Sequence, residues 1–247
     1  MKHPKVLLAV VPLCTAVHAE EHYTVGALAV VEDMVYIDMK KDRALQGAPF
    51  FAFDSDDLFF TLGALGAHLY QRETDQVALA LDGYVTMGDG YRRGDSPRFR
   101  GMARRHPHTD VGLALELSWA LGQSSFSVQQ DVSGRSQGLL ASYTHSLPWP
   151  IGQVVVAPTL RLDLMTARHV DYYYGVRREE ALPDRAAYRG RQAVNISGGY
   201  LLSWMLAPEW MLYQGVEYTW LGDAITDSPL VDRDHLVSGV LGVTYSF

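Results

Sequence analysis

Apolar and polar positions alternate along most of this chain, in runs of about ten residues bounded by turn residues. In residues 111–121, Val111, Leu113, Leu115, Leu117, Trp119 and Leu121 fall on one face, and Gly112, Ala114, Glu116, Ser118 and Ala120 on the other. Residues 152–164 set Val154, Val156, Leu160, Leu162 and Leu164 against Thr159, Arg161 and Asp163. Residues 192–204 set Val194, Ile196, Tyr200, Leu202 and Trp204 against Asn195, Ser197 and Ser203. Residues 209–221 set Trp210, Leu212, Val216, Tyr218 and Trp220 against Glu217 and Thr219. Residues 77–87 set Val77, Leu79, Leu81, Val85 and Met87 against Asp82 and Thr86. Weaker alternation occurs at 23–31, 45–53, 57–70, 123–131 and 138–147, and the chain closes on an alternating strand, 236–247. A helical period of 3.6 would scatter these apolar residues around an axis, so each run predicts a strand.

Two all-β architectures use such strands. A soluble sandwich points its apolar face at a core, whereas a transmembrane barrel points it at lipid and encloses a polar lumen. The runs exceed the usual five or six residues of a globular strand. Their apolar faces carry aromatics near the ends (Trp119, Trp204, Trp210, Trp220, Tyr245 and Phe247), as at a membrane interface. The expectation is a transmembrane antiparallel β-barrel of twelve strands, with ten as the alternative. With the C-terminus on the periplasmic side, the long connections 88–110, 165–190 and 222–235 fall outside and the short ones at 147–151 and 205–208 fall inside. The 32–44 connection breaks this parity, so a strand is expected to be hidden between 32 and 76. Pro158 removes a ladder donor and calls for a bulge or a break. Asp82, Glu116, Arg161, Asp163 and Glu217 are placed in the lumen, where Arg161 is expected to pair with an acid on a neighbouring strand.

The chain has 247 residues. Residues 1–19, with Lys2, Lys5 and an apolar run before Val17-His18-Ala19, read as a cleaved secretory leader; residues 20–247 form one barrel domain. The single cysteine, Cys14, lies in the leader, so an exported domain must hold without disulfides. The whole chain carries −7; the leader holds two of the 21 basic residues and none of the 28 acidic ones, leaving −9. That balance argues against nucleic-acid binding. The expected location is the outer membrane of a Gram-negative cell. There, a terminal strand ending on Tyr245 and Phe247 is similar to the signal read by the barrel-assembly machinery.

Residues 221–231 carry Leu221, Gly222, Asp223 and Ala224, then Asp227, Ser228 and Pro229 before Leu230-Val231. With "DYYYGV" (171–176) and "QDVSG" (130–134), this resembles the MipA/OmpV family, the MltA-interacting protein family of outer-membrane barrels. The resemblance runs from about 110 to the end; the first connection, "EDMVYIDMKKDRALQG", departs from it. It implies a non-enzymatic barrel acting as a scaffold between a murein hydrolase and a murein synthase. The alternative is a narrow channel, or a surface barrel serving as an adhesin or contacting lipopolysaccharide. On the residues alone, Asp227-Ser228-Pro229 is turn chemistry and Asp223 a candidate cap. Tyr172, Tyr173 and Tyr174 cannot share one face of a strand, so they belong at the outer interface or over the mouth.

Candidate chemistry is sparse. Arg92, Arg93, Arg98, Arg100, Arg104 and Arg105 crowd one outer loop, where arginines either bind lipid phosphates or are simply solvated. His106 and His108 are two potential metal ligands without a third. His145-Ser146 and Asp234-His235 are dyads without a third member of a nucleophilic triad. Gly88, Gly90 and Gly94 lack the strand–helix setting of a phosphate loop. No catalytic, metal or cofactor site is expected. The expected partners are outer-membrane lipid and lipopolysaccharide, the assembly machinery and periplasmic murein enzymes.

Overall fold

The computed structural model describes residues 21–39 and 43–247; the leader lies outside them. The strands are β1 (His22–Asp33), β2 (Arg43–Asp54), β3 (Leu58–Thr61), β4 (Ala64–Glu73), β5 (Ala78–Gly88), β6 (His108–Trp119) and β7 (Gly122–Asp131), followed by β8 (Leu139–Ser146), β9 (Trp149–Ile151), β10 (Val154–Met165), β11 (Ala193–Ala207), β12 (Trp210–Trp220) and β13 (His235–Ser246). Neighbours pair antiparallel throughout, and β13 returns to β1, closing a 12-strand barrel. The seam is a full ladder from Thr24↔Ser246 to Glu32↔Ser238. Tyr23 and Phe247 extend it, each N–H donating to the other's carbonyl at 3.0 and 2.9 Å, with their rings stacked at 5.9 Å.

Thirteen segments make twelve wall positions because β8 and β9 share one. β10 pairs with β8 above and with β9 below, and the interruption at Leu147-Pro148 lies opposite Pro158. The break called for by Pro158 is therefore in the facing strand, while β10 itself runs through. The hidden strand is β3, only four residues long; a turn at Leu62-Gly63, with Gly63 at φ 93°, separates it from β4.

Pleating sorts the side chains as the alternation predicts. Leu113, Leu115, Phe126, Leu160, Leu162, Val194 and Ile196 face outward and are exposed, as a lipid-facing band requires. Ser125, Ser142, Thr159, Arg161, Ser197 and Glu217 face in. Trp119, Trp149, Trp204, Trp210 and Phe247 ring the end with short turns, and Trp220 marks the other. Arg161 meets Asp163 at 2.9 Å, an ion pair along its own strand.

The buried apolar cluster is not in the barrel's middle. Val35, Tyr36, Tyr91, Phe99, Met102, Val170, Val176, Ile225 and Leu230 come from the long connections and pack over one mouth with Met165, Ala193 and Leu236 at the strand tops. Helix α1 (Ala167–Tyr174) and the single turn α2 (Asp223–Thr226) belong to this cap.

Candidate functional site: the sealed mouth and the short-turn rim

The cap is held by buried polar groups as well as by its apolar core. Arg105 and Glu180 are each 3% exposed and form a two-pronged pair, both contacts at 3.1 Å. Glu180 also accepts the N–H groups of Ala103 and Arg177, at 2.8 and 3.0 Å. Burial pushes the Glu180 carboxyl up, but these donors outweigh it and hold it at about 2. Arg105 further donates to the carbonyls of Tyr172 and Gly175 and lies 5.7 Å from the Tyr91 ring centre. Arg185, almost fully buried, donates to the carbonyls of Arg98, Arg100 and Glu180.

The three tyrosines of α1 fold over the mouth. Tyr172 donates to His106 O at 2.8 Å, Tyr173 lies 2.6 Å from His108 Nδ1, and the Tyr174 carbonyl accepts from Ser228 at 2.7 Å. His108 continues into the lumen through Asp110 at 3.0 Å, and Gln129 and Tyr84 follow at 3.1 and 3.2 Å. His169, on α1, is drawn down to about 4, first by burial and then by the neighbouring His108.

The 221–231 segment braces the same cap. The Gly222 N–H donates to Asn195 Oδ1, and a side chain there would come within 2.6 Å of the Val194 carbonyl oxygen. Ala224 accepts from Tyr188 at 2.8 Å, and Val231 bridges Tyr36. Asp227 pairs outward with Arg191 at 2.8 Å, so the turn bond falls to Ser228, which accepts from Leu230 N–H. Asp223 begins α2 with its side chain exposed and makes no side-chain cap. Asp131, of the 130–134 stretch, gathers the N–H groups of Ser133, Ser136 and Gln137. Pro229 is half-buried beside Leu230, which is fully buried.

The Arg-rich loop divides. Arg105 turns in, Arg98 meets Asp184 at 3.1 Å, and Arg93 donates to the Met102 carbonyl; Arg92, Arg100 and Arg104 are exposed. Among the described arginines only Arg72 and Arg161 lie away from the capped end. The short-turn end is opposite in sign: Glu21, Asp56, Asp57, Glu73, Asp75 and Glu209 are exposed around it, with Arg72 the fixed cation there among the described residues.

Between cap and rim, the lumen charges form separate clusters. Asp82 takes His68 Nδ1 at 2.8 Å, and Glu116 accepts from Ser125 at 2.7 Å. A cavity in the short-turn half is lined by Gln123, Thr144, Ser146, Thr159, Arg161 and Glu217. His145 faces lipid and contacts Ser124 at 2.9 Å, and His235 meets Asp234 at 2.6 Å on the exposed side. His106 and His108 diverge: His106 is exposed, and His108 is buried between Asp110 and Tyr173. The cap core and the Arg105–Glu180 pair were not singled out from the sequence.

Closed strands, a lipid-facing apolar band and aromatic girdles define an outer-membrane β-barrel. A family model described as MltA-interacting protein MipA matches residues 25–247, and the chain belongs to that family. The MltA-interacting protein of Escherichia coli (strain K12) is 25% identical over 233 residues, covering 93% of this chain and 92% of the relative. Outer membrane protein Omp26La of Vibrio anguillarum is 25% identical over 193 residues, covering 78% and 74%. Among solved structures, an outer membrane channel from Pseudomonas putida F1 aligns with a TM-score of 0.48 and 11% identity over 94% of this chain and 97% of its own.

Proposed function

We propose that this barrel is a non-enzymatic, externally sealed scaffold that offers its periplasmic rim to a murein-processing enzyme. The observation that carries the reading is the packed cap: an apolar core over the mouth leaves the lumen cavity on the periplasmic half. A relative's name, MltA-interacting protein, supports a murein enzyme as the partner class. The acidic rim favours a partner with a basic face and would steer its approach. The turns alone are small against the ~800 Å² per partner of a stable interface, so the complex should be weak and salt-sensitive. Outside, Arg92, Arg100 and Arg104 suit lipopolysaccharide phosphates. Tyr245 and Phe247, at the closing seam, suit recognition by the assembly machinery.

Retention of periplasmic murein hydrolases and synthases on the immobilised, folded barrel tests this reading. Retention that falls when Asp56, Asp57, Glu73 and Asp75 become Asn or Gln supports it. Absence of retention at low salt refutes it. The narrow-channel reading keeps one observation in its favour, the charged lumen, and predicts steady conductance.

A further inference from the structure

The wall is not complete. β2 pairs with β1 along its whole length, from His22↔Asp54 to Asp33↔Arg43, but with β3 only at Phe53 and Asp54. The β3–β4 hairpin turns at Leu62-Gly63, so residues 43–52 of β2 have no strand partner on that side among the described residues. Beyond the hairpin, Ala64 pairs with Thr86 of β5, whose upper end is at Gly88. Above, the β5–β6 connection reaches across to the β1–β2 connection: Ser96 donates to Ile37 O at 2.9 Å, Arg98 lies 3.8 Å from Asp38, and Tyr36 packs edge-on to Phe99. The opening is therefore framed on all sides, a lateral window in the outer half of the wall.

The β2 edge is built for an open position. Tyr23 exchanges both backbone bonds with Phe247, so in the antiparallel alternation odd residues of β2 direct their N–H and C=O away from β1. Pro49 is one of these, placed where its missing donor leaves no ladder bond unmade. No atom lies within 4 Å of where a Gly47 side chain would begin. Ala48 faces the lumen, opposite buried Leu28, yet is itself exposed.

An unpaired edge at membrane depth is costly unless something covers it. Two copies related by an axis along the membrane normal would cross their tilted β2 strands rather than pair them. Outward residues around the frame are apolar: Leu45, Phe51, Phe60, Leu65 and Met87 are all exposed. With two strand positions missing, three strand spacings, about 14 Å, separate the facing backbones, enough for a hydrocarbon chain. Just beyond β5, Arg92 is exposed, a guanidinium suited to a headgroup phosphate.

We propose that the window admits an acyl chain of an outer-leaflet lipid, so that Ala48 and Gln46, though they face inward, contact hydrocarbon. The test uses the full chain in a Cys14→Ser background, with one thiol each at Ala48→Cys, Gln46→Cys, outward Phe51→Cys and inward Ser127→Cys. Each is labelled with bimane after folding is confirmed by a heat-dependent gel shift, then placed in phosphatidylcholine vesicles carrying acyl-chain nitroxide. Quenching at 48 and 46 within about twofold of that at 51, with 127 unquenched, is expected. If 48 and 46 are quenched by aqueous iodide and not by nitroxide lipid, the window is a water-filled recess. If neither quencher reaches them, protein fills it. Either result overturns the proposal.

Discussion

Replacing Glu180 with Ala should open the cap and leave the barrel standing. In the native protein Glu180 receives both prongs of Arg105 and two backbone N–H groups, with both side chains 3% exposed. Alanine leaves a buried guanidinium without its counter-charge, which costs about 3–5 kcal/mol. The orphaned Ala103 and Arg177 N–H groups add to this, at about 1–3 kcal/mol each where water cannot reach them. Even the lower figure is about two decades in the opening equilibrium, at 1.4 kcal/mol per tenfold. Native-state hydrogen exchange reads it directly. The amides of Val176 and Tyr188, which bridge each other at 2.8 and 2.9 Å, and of Ile225, bonded to Gly222 O at 2.8 Å, should exchange at least about a hundredfold faster. Amides of β6 and β12 should be unchanged. Glu180→Gln, which keeps an acceptor, should lie between wild type and Ala. Cap exchange that rises less than tenfold in Glu180→Ala, or strand amides that lose protection equally, would refute the claim that this pair holds an independently opening cap.

Acidification should loosen the cap in two stages. His169 is held at about 4 against an ordinary 6.5, so the open form binds the proton more readily and stability falls as pH drops from 6.5 to 4, by at most ~3 kcal/mol. Glu180, held at about 2 against 4.5, adds a loss from pH 4.5 down to 2; exchange of the Val176 amide against pH checks both, and His169→Gln should remove the first stage alone. Gly222→Ala would force its new carbon against the Val194 carbonyl, 2.6 Å away, and should raise cap exchange without moving the barrel's heat-dependent gel shift. Deleting Phe247 removes the Tyr23 backbone pair and the ring stack at the seam, and should lower the yield of folded barrel in cells.

The barrel was legible because lipid on one side and a polar lumen on the other impose a strict period of two, as Leu113, Leu115 and Leu117 show against Ala114 and Glu116. β3 was hidden because "LFFTLGALG" is apolar or small at either parity, and its turn rests on one glycine at positive φ. The cap was not legible. Phe99, Met102, Val170, Ile225 and Leu230 come singly from distant loops, with no period to connect them. Arg105 stands next to solvated Arg104 in the sequence; the approach of Glu180, 75 residues later, distinguishes them. The family stretches at 130–134, 171–176 and 221–231 lie far apart in sequence, and the fold brings all three to the capped mouth.

Conductance of the wild-type barrel in a planar bilayer tests the sealed mouth most directly. Protein first shown to be folded by its faster migration unheated should insert without steady openings, and Glu180→Ala should produce flickering ones. Stable openings of a single amplitude from the wild type would contradict the account.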